Sequence, residues 1–273
     1  MTSKLKSIEY GKARVRVAKI ERHEDRHEFR EFTVAVRLAG PFENCYLTGD
    51  NSMVVPTDTM KNTVYAIAAQ TSLAPAERYA IKLGQHFLDT HAHVTGVDMD
   101  IVEHRWDRLD PFTFEQGQSR RLAFVQMTRD GVAVQAGIDN LVVLKTTKSS
   151  FAGYLKDKYT TLKETSDRIL GTSVRAVWNY DSTDLDFEAT MASCRKIMID
   201  VFTAHDSLAV QQTIYAMGDA VLQAHPQIGE IRITLPNKHY LPVNLEVLGL
   251  ENKNEIFMPT DEPHGLIEAC ITR

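Results

Sequence analysis

The strongest constraint on the fold of this chain is an order of predicted elements that occurs twice. The first half opens with two segments, ARVRVAKIE and EFTVAVRLAG, in which apolar and polar residues alternate. A period of two residues is typical of β-strands with one buried face. Two segments with helical spacing follow, TDTMKNTVYAIAAQ and APAERYAIKLGQHFLDTH. The half ends with the strand TGVDMDIVEHRW and a hairpin, RLAFVQMT-RDG-VAVQAGI, which turns at Asp130-Gly131.

The second half follows the same plan. LVVLKTT and TSVRAVWNYD are predicted strands, separated by the excursion SSFAGYLKDKYTTLKETSDRIL, which we expect to be partly helical. Two helices, DFEATMASCRKIMIDVFTAH and DSLAVQQTIYAMGDAVLQAH, precede four short strands, EIRITL, LPVNLEVL, NEIFMP and GLIEACITR. We therefore predict an α+β protein of two tandem domains, residues 1–136 and 137–273. Each domain is expected to be an antiparallel sheet with a pair of helices on one face.

Composition and charge exclude several classes of protein. The chain has 273 residues, a formal net charge of −5 and a pI of about 6.1, so the basic surface of a nucleic-acid-binding protein is not expected. No apolar run approaches the ~18 residues that suggest a transmembrane helix. The N-terminal segment lacks the apolar centre of a signal peptide, and the C-terminal CITR differs from the peroxisomal address Ser-Lys-Leu. We expect a cytoplasmic protein whose three cysteines are reduced.

Two histidine pairs suggest a metal site on spacing alone. HEDRH, from His23 to His27, matches the H-E-x-x-H motif, in which a helix places two histidines one turn apart. Here the motif lies between two alternating segments without an apolar face, so a solvated hairpin turn is the better interpretation. His91 and His93 have no identifiable third ligand and are interpreted as a helix-to-strand connection. We predict no metal site, and a hydrolase that uses His23 and His27 is the weaker hypothesis.

Other polar residues have ordinary explanations when each is considered alone. Lys12 is compatible with the surface of a strand, and Thr57 and Asp58 stand where a helix begins, where they can cap it. Gln211 is compatible with a helix surface and His239 with a turn. The chain contains no glycine-rich dinucleotide motif, Walker loop or G-x-S-x-G element, so no common cofactor or nucleophile motif identifies its chemistry.

Five sequence blocks stand in order along the chain and carry more information together than singly. They are YGKARVRV, VPTDTMKNTVYA, VLKTTKSSFAGYLKDKYTTLKET-DRIL, LAVQQTIY and LPNKHY. Together they resemble the urate oxidase (uricase) family, from Tyr10 to Ile271. The resemblance implies two tunnelling-fold (T-fold) domains per chain and a homotetramer with active sites shared between subunits. The implied reaction converts urate, O2 and water to 5-hydroxyisourate and hydrogen peroxide without a metal or an organic cofactor.

The resemblance also implies a set of residues for proton transfer. Lys12 of the YGK block, Thr57 of the TD pair and His239 of the LPNKH block match a proton relay in the family. The residue types suit that role. A lysine amine can act as a base, a threonine hydroxyl both donates and accepts a hydrogen bond, and histidine changes its charge near neutral pH.

A second implied set binds the substrate. Arg168 and Gln211 would hold the polar edge of the purine, and Phe151 would stack on its face, although that ring alone suggests packing in a loop. Asn237 would hold O2 or water above the ring. The set is completed by groups of Thr57, Asp58 and Val210. The alternative function is a T-fold protein that binds purines or pterins without oxidising them.

Overall fold

Eight strands and five α-helices occur in residues 3–273, the part of the chain that this computed structural model describes. The strands are β1 (Tyr10–Arg22), β2 (His27–Ala39), β3 (Gly96–Arg108), β4 (Phe114–Thr128), β5 (Val132–Lys145), β6 (Leu170–Tyr180), β7 (Ile228–Pro242) and β8 (Phe257–Thr272). The helices are α1 (Glu43–Leu47), α2 (Thr57–Gln70), α3 (Ala76–Thr90), α4 (Phe187–Ala204) and α5 (Val210–Ala224). The predicted α+β class is confirmed. None of the helices in these residues has the length and apolar character needed to cross a membrane.

Two compact units make up the chain. The first contains the residues up to Gly137 together with Asn179–Met191, and the second contains Ile138–Trp178 and Ala192–Arg273. Hydrogen-bonded strands follow the order β1-β2-β3-β4-β5 in the first unit and β5-β6-β7-β8 in the second, because β5 contributes residues to both. The neighbouring pairs from β1 to β4 are antiparallel, as is the pair of β7 and β8. These pairs therefore have the antiparallel direction that the sequence predicted.

The alternating residues of the first unit form its core. Phe32, Val34, Val36 and Leu38 of β2 are completely buried, while the residues between them are partly exposed. Helix α2 packs on β1, and α3 packs on β3 and β4, so the helix pair covers one face of the sheet. Burial of one strand face against helices is the expected source of most of this unit's stability.

The second unit buries its strands in the same way. Val174, Ala176 and Trp178 of β6 are almost fully buried, as the alternation predicts. Helix α5 packs on both β7 and β8. The excursion of residues 146–169 contains no helix, so that prediction is wrong. Two isolated bridges, Ser149–Ser207 and Phe151–Thr165, hold this segment instead.

Several predicted strands turn out to be parts of longer ones. LVVLKTT is the second half of β5, and EIRITL continues in β7 as far as Pro242. NEIFMP and GLIEACITR join in β8, whereas only the first two residues of LPVNLEVL belong to a strand, β7, and the rest contains a 3-10 turn at Glu246–Leu248. Pairing between β7 and β8 extends both strands through polar residues. Pro242 is in the last pair of β7, where a missing ladder donor is tolerated.

In each unit, an arginine side chain donates hydrogen bonds to the carbonyl oxygens at the end of a helix. Arg129 donates to carbonyl oxygens at the end of α3, which include those of Leu88, His91 and Val94. Arg273 donates to carbonyl oxygens at the end of α5, those of Leu222, His225 and Ile228. The same pattern, L-x-x-H-x-x-V or L-x-x-H-x-x-I, supplies the acceptors in both units. A basic side chain here satisfies carbonyl groups that the helix leaves without partners.

A partly buried cluster of charges lies in the first unit. The Arg121 guanidinium contacts Glu77 Oε2 at 2.7 Å and Glu188 Oε1 at 2.8 Å. Arg30 pairs with Glu103, whose Oε2 lies 3.9 Å from Arg121 Nη1. Glu77 is fully buried, and burial raises the pKa of its carboxyl although Arg121 opposes the shift. The cluster therefore holds three carboxylates against two guanidinium groups, with Glu77, Glu103 and Arg121 buried and Arg30 and Glu188 partly exposed.

Replacing Glu77 by glutamine is expected to change the pH dependence of unfolding. The pKa of Glu77 is raised in the folded state, so its contribution to stability is complete below the ordinary value of 4.5. That contribution is lost as the pH rises through the raised value. Glutamine imitates the protonated side chain. As the pH rises above 4.5, the free energy of unfolding of Glu77→Gln should therefore increase relative to that of the parent protein.

Equilibrium urea unfolding from about pH 4 to about pH 8 measures this effect. Glu24→Gln, in the exposed turn between β1 and β2, is the matched control, because its carboxylate is already in water. A difference between Glu77→Gln and the parent protein that stays constant across this pH range would contradict the prediction.

Candidate active site

Lys12 lies at a bulge near the start of β1. It pairs with Val36 of β2, and the next pair is Val15 with Val34, so β1 contains one residue more than β2 between these pairs. Arg14, inside the bulge, has a positive φ of 59°. A bulge interrupts strand alternation and re-aims the side chains beside it. Within residues 3–273 the Lys12 ammonium group makes no hydrogen bond or ion pair, so it is free to meet a ligand.

The hydroxyl of Tyr10 connects this strand to the loop before α2. It accepts a hydrogen bond from the Val55 N–H at 2.8 Å and donates one to the Val55 carbonyl oxygen at 3.1 Å. Tyr10 stands two residues before Lys12, and Val55 stands two residues before Thr57. The contact could not be predicted from the sequence, because it joins positions 45 residues apart and leaves no local pattern.

Thr57 and Asp58 begin α2 but do not cap it. The N-cap residue is Pro56, and no side chain makes a cap hydrogen bond. The predicted capping role is wrong because the extended Pro56 leads directly into the helix, which makes Thr57 and Asp58 its first two residues. Main-chain N–H groups of the first turn are therefore left without a side-chain acceptor. Such groups, together with the positive end of the helix dipole, favour an anion.

Asp58 is held by its own helix. Its carboxylate accepts hydrogen bonds from Lys61 and from Asn62 Nδ2, the latter at 3.0 Å. The hydrogen bond and charge of Lys61 lower the pKa of Asp58, and the charge of Lys12 acts in the same direction. Lys12 thus lies within electrostatic reach of the start of α2. The structure brings Lys12, Thr57 and Asp58 together in the first unit.

Arg168 and Phe151 lie together in the second unit. The guanidinium carbon is 5.4 Å from the centroid of the Phe151 ring, which also stacks on Tyr154 at 4.9 Å. Arg168 is half-buried, and no carboxylate in residues 3–273 forms an ion pair with it. Burial lowers the pKa of Arg168, but an arginine side chain stays protonated in proteins. The site therefore contains a partly desolvated positive charge that lacks a counter-ion in the described chain.

Three buried hydroxyl residues join the Arg168 segment to the start of α5. The Arg168 N–H donates to the Ser149 carbonyl oxygen at 2.9 Å, and its Nε lies 3.4 Å from Ser149 Oγ. The Ser150 N–H donates to the Ser207 carbonyl oxygen at 2.8 Å, and the Thr213 hydroxyl donates to Ser207 Oγ at 2.8 Å. Ser149, Ser207 and Thr213 are almost completely buried. Their role was not predicted, because serine and threonine are common in loops.

Val210 and Gln211 are the first two residues of α5. Their N-cap, Ala209, is extended and makes no side-chain cap hydrogen bond. Val210 is buried, while Gln211 is exposed and its amide makes no hydrogen bond within residues 3–273. Since Ser207 contacts both the Arg168 segment and this helix start, the structure connects Phe151, Arg168, Val210 and Gln211 in the second unit.

Asn237 and His239 belong to the body of β7, so the turn interpretation of His239 is wrong. Strand alternation places both side chains on one face. Asn237 pairs with Gly265 and His239 with Thr260, so β8 contains three more residues than β7 between these pairs. Asp261, in that bulge, pairs with Lys238 at 3.0 Å. Asn237 and His239 are half-buried, which is compatible with contact to a ligand.

The histidine pairs have the structures that the sequence predicted. HEDRH forms the turn between β1 and β2, where the His23 N–H donates to the Arg26 carbonyl oxygen at 3.0 Å. His91 and His93 lie in the connection from α3 to β3. Within residues 3–273, no group of three or more His, Cys, Asp or Glu side chains is arranged to hold a metal ion. The hydrolase hypothesis has no helix to support it.

Similarity to known proteins assigns the chain to a family. The family model described as Uricase matches residues 8–131 and 134–268. The chain belongs to the uricase family. Uricase of Arthrobacter globiformis is 45% identical over 268 residues, which cover 97% of this chain and 88% of that protein. Uricase of Aspergillus flavus is 36% identical over 294 residues, 99% of this chain and 97% of that protein.

Solved uricase structures share the fold. The crystal structure of uricase from Arthrobacter globiformis superposes with a TM-score of 0.96 at 43% identity, covering 100% of this chain and 96% of that chain. The predicted uricase family is thereby confirmed, and the α+β fold agrees with the T-fold that the resemblance implied. In this member of the uricase family, Lys12, Thr57 and Asp58 lie in the first unit. The second unit contains Phe151, Arg168, Val210, Gln211, Asn237 and His239.

Proposed function

We propose that this chain oxidises urate with O2 and water, giving 5-hydroxyisourate and hydrogen peroxide. Membership in the uricase family carries the reaction class, and the alternative of a purine or pterin binder without oxidase activity is not favoured. The observation that carries the binding mode is the Arg168 guanidinium, which has no carboxylate partner in the described chain. An anionic purine supplies the missing negative charge.

Arg168 and Gln211 bind the pyrimidine edge of urate in this proposal. The planar guanidinium donates two parallel hydrogen bonds to a ring carbonyl and a neighbouring nitrogen. The Gln211 amide, which has no partner in residues 3–273, completes the edge, together with the main chain of Val210. Phe151 stacks on the purine face, and the 5.4 Å distance from Arg168 to its ring supports a common site.

The five-membered ring meets the start of α2. The uncapped first turn offers N–H groups at Thr57 and Asp58, which suit an anionic heterocycle. Lys12 receives a proton, Thr57 relays it through a hydroxyl that both donates and accepts, and His239 completes the chain. Asn237 holds O2, and later water, above the ring. Deprotonated urate is itself the reductant, so the proposed reaction uses no metal or organic cofactor.

We further propose a homotetramer in which the two residue sets meet between subunits. Each unit of one chain carries only part of the proposed site. Large apolar side chains are exposed in the second unit, among them Leu155, Leu208, Tyr215, Val247 and Leu266. Exposed apolar surface of this kind is typical of a protein interface. Subunit assembly would bury it and complete the site.

Oxygen consumption tests the function directly. Protein treated with a chelator is mixed with urate, and O2 uptake is followed together with loss of urate absorbance and release of peroxide. We expect one O2 consumed and one peroxide released for each urate. Tight urate binding without oxygen uptake would instead establish the binder, and activity restored only by an added metal would refute the cofactor-free reaction.

Mixed oligomers test whether sites are shared. Lys12→Ala and Arg168→Ala subunits are each expected to be inactive, because each lesion removes one part of every site. After dissociation and reassembly together, some sites contain neither lesion, so activity should return. Reassembled Lys12→Ala subunits alone serve as the control. Verified mixed oligomers that stay as inactive as this control would contradict sharing.

Replacing Arg168 by lysine is expected to raise KM for urate by about 10-fold to 100-fold with a smaller change in kcat. Lysine keeps the charge but loses the planar pair of donors, and a hydrogen bond to a charged group contributes roughly 1.5–3 kcal/mol. Arg175→Lys on β6 is the matched control, because that side chain pairs with Asp139. Steady-state kinetics of both variants measure kcat and KM for urate. An equal rise of KM in the two variants would contradict a specific role for Arg168.

A further inference from the structure

A single hydroxyl group connects the two chain segments that carry Lys12 and Thr57. The Tyr10 hydroxyl bonds both polar main-chain groups of Val55, accepting at 2.8 Å and donating at 3.1 Å. Val55 is buried, and the Tyr10 ring packs edge-on against Phe42 with centroids 4.8 Å apart. Burial raises the pKa of the Tyr10 phenol, so the hydroxyl keeps the proton that it donates. The connection is therefore held by the two hydrogen bonds to Val55 and by the packing of the Tyr10 ring on Phe42.

Little backbone freedom remains between this connection and the proton-carrying side chains. Gly11 alone separates Tyr10 from Lys12, and a Cβ atom there would lie 1.8 Å from the Val36 carbonyl oxygen. Pro56 alone separates Val55 from Thr57, and its ring restricts φ, which is −56°. A displacement of the Tyr10–Val55 contact would consequently be passed on to Lys12 and Thr57.

The packing of the ring does not require the hydroxyl. Phenylalanine would make the same edge-on contact with Phe42, since that contact uses only the ring. Other side chains join α2 farther from its start. The Tyr79 hydroxyl donates to the Val64 carbonyl oxygen at 2.8 Å, and Lys19 donates to the carbonyl oxygens of Ala68 and Thr71. Of these contacts, the one made by Tyr10 reaches the end of α2 where Thr57 lies.

We propose that Tyr10 is a positioning residue for proton transfer, whose hydroxyl sets the separation of Lys12 and Thr57. The proposal rests on the proposed function, because it assigns Tyr10 to the Lys12–Thr57 relay. Tyr10 exchanges no proton with the substrate. Its two hydrogen bonds hold the start of β1 against the loop before α2. Small displacements of reacting groups reduce rates strongly, since proton transfer requires hydrogen-bond distances.

Tyr10→Phe tests the proposal, with Tyr79→Phe as the matched control. Both variants remove one hydroxyl that bonds the main chain near or in α2, but Tyr79 bonds the middle of the helix. For Tyr10→Phe we expect kcat for urate to fall about 10-fold to 100-fold with KM within about twofold. The solvent deuterium isotope effect on kcat should rise, because a longer donor–acceptor distance slows the proton transfer. Tyr79→Phe should lower the unfolding temperature and leave kcat and its isotope effect unchanged.

Loss of folded protein alone lowers the amount of active enzyme without changing an isotope effect, so the two explanations separate. Equal isotope effects in Tyr10→Phe and the parent protein would overturn the proposal. If Tyr10→Phe does not fold, Tyr10→Met keeps an apolar side chain against Phe42 and also removes the hydroxyl. A raised isotope effect in that variant supports the proposal, and an unchanged one overturns it.

Hydrogen exchange separates this proposal from the proposed function. In Tyr10→Phe, amide exchange in residues 52–58 should become faster, whereas in Tyr79→Phe it should stay as in the parent protein. If the parent protein does not oxidise urate, the proposed function fails and the proton-transfer role of Tyr10 fails with it. Faster exchange in Tyr10→Phe would then still identify the hydroxyl as the contact that orders the loop. If the parent protein oxidises urate but amide exchange in Tyr10→Phe is unchanged, the positioning role of Tyr10 is overturned and the proposed function stands.

Discussion

Replacing Lys12 by methionine is expected to lower kcat for urate oxidation by about 100-fold to 10,000-fold while KM changes little. Methionine keeps the length of the side chain and removes the amine, so the proton relay loses its base. Lys12 makes no hydrogen bond or ion pair within residues 3–273, and its removal therefore leaves no buried group without a partner. The effect should appear in turnover and not in stability.

Lys19→Met provides the matched control for this change. Lys19 lies on the same strand and donates to the carbonyl oxygens of Ala68 and Thr71 at the other end of α2. Its replacement should lower the unfolding temperature and leave kcat nearly unchanged. Steady-state urate oxidation and thermal unfolding of both variants measure the contrast. If Lys12→Met kept turnover within about threefold of the parent protein, a general-base role for Lys12 would be refuted.

Replacing Arg121 by methionine is expected to lower the free energy of unfolding by about 3–5 kcal/mol. The guanidinium is 9% exposed and contacts Glu77, Glu103 and Glu188. Methionine fills much of the volume but leaves the fully buried Glu77 carboxylate without a positive partner. An unpaired buried charge is costly because neither water nor a counter-ion stabilises it.

The double variant with Glu77→Gln distinguishes this cause from a packing defect. Arg121→Met leaves the negative charge of Glu77 without a partner, and glutamine removes that charge. The double variant should therefore recover a substantial part of the lost stability. Lys196→Met is a surface control, because Lys196 pairs with Asp200 in solvent and such pairs contribute at most about 1 kcal/mol. Chemical unfolding of the four proteins measures the coupling. If Glu77→Gln brought no recovery, the loss would come from packing.

Periodicity predicted the elements whose burial is local in the sequence. Phe32, Val34 and Val36 alternate in the chain and are buried together in the sheet. Helix α2 was predicted from apolar spacing and begins at Thr57, as expected. These predictions succeed because one-sided burial against a helix pair leaves a period in the sequence. Capping by Thr57 was predicted wrongly, because residue type alone does not distinguish a cap from a first helical residue.

Contacts that join distant segments left no such pattern. The segment of residues 146–169 contains aromatic and charged residues that suggested a helix, but main-chain contacts such as Ser150 to Ser207 hold it in an irregular conformation. Likewise, the partner of Val55 is Tyr10, and the length of β7 depends on β8. The identities of the site residues were accessible only through five blocks that resemble one family. Their chemical roles stay predictions until the variants above are measured.

The arginines that end α3 and α5 have a consequence for the stability of both helix ends. The two units place an arginine on equivalent carbonyl groups after L-x-x-H-x-x-V and L-x-x-H-x-x-I. Each of these helix ends therefore depends on one side chain to satisfy several carbonyl oxygens that the helix leaves without partners. The strands that follow these helices end in connections of different length: residues 109–113 connect β3 to β4, whereas residues 243–256 connect β7 to β8. The longer connection follows the strand that carries Asn237 and His239.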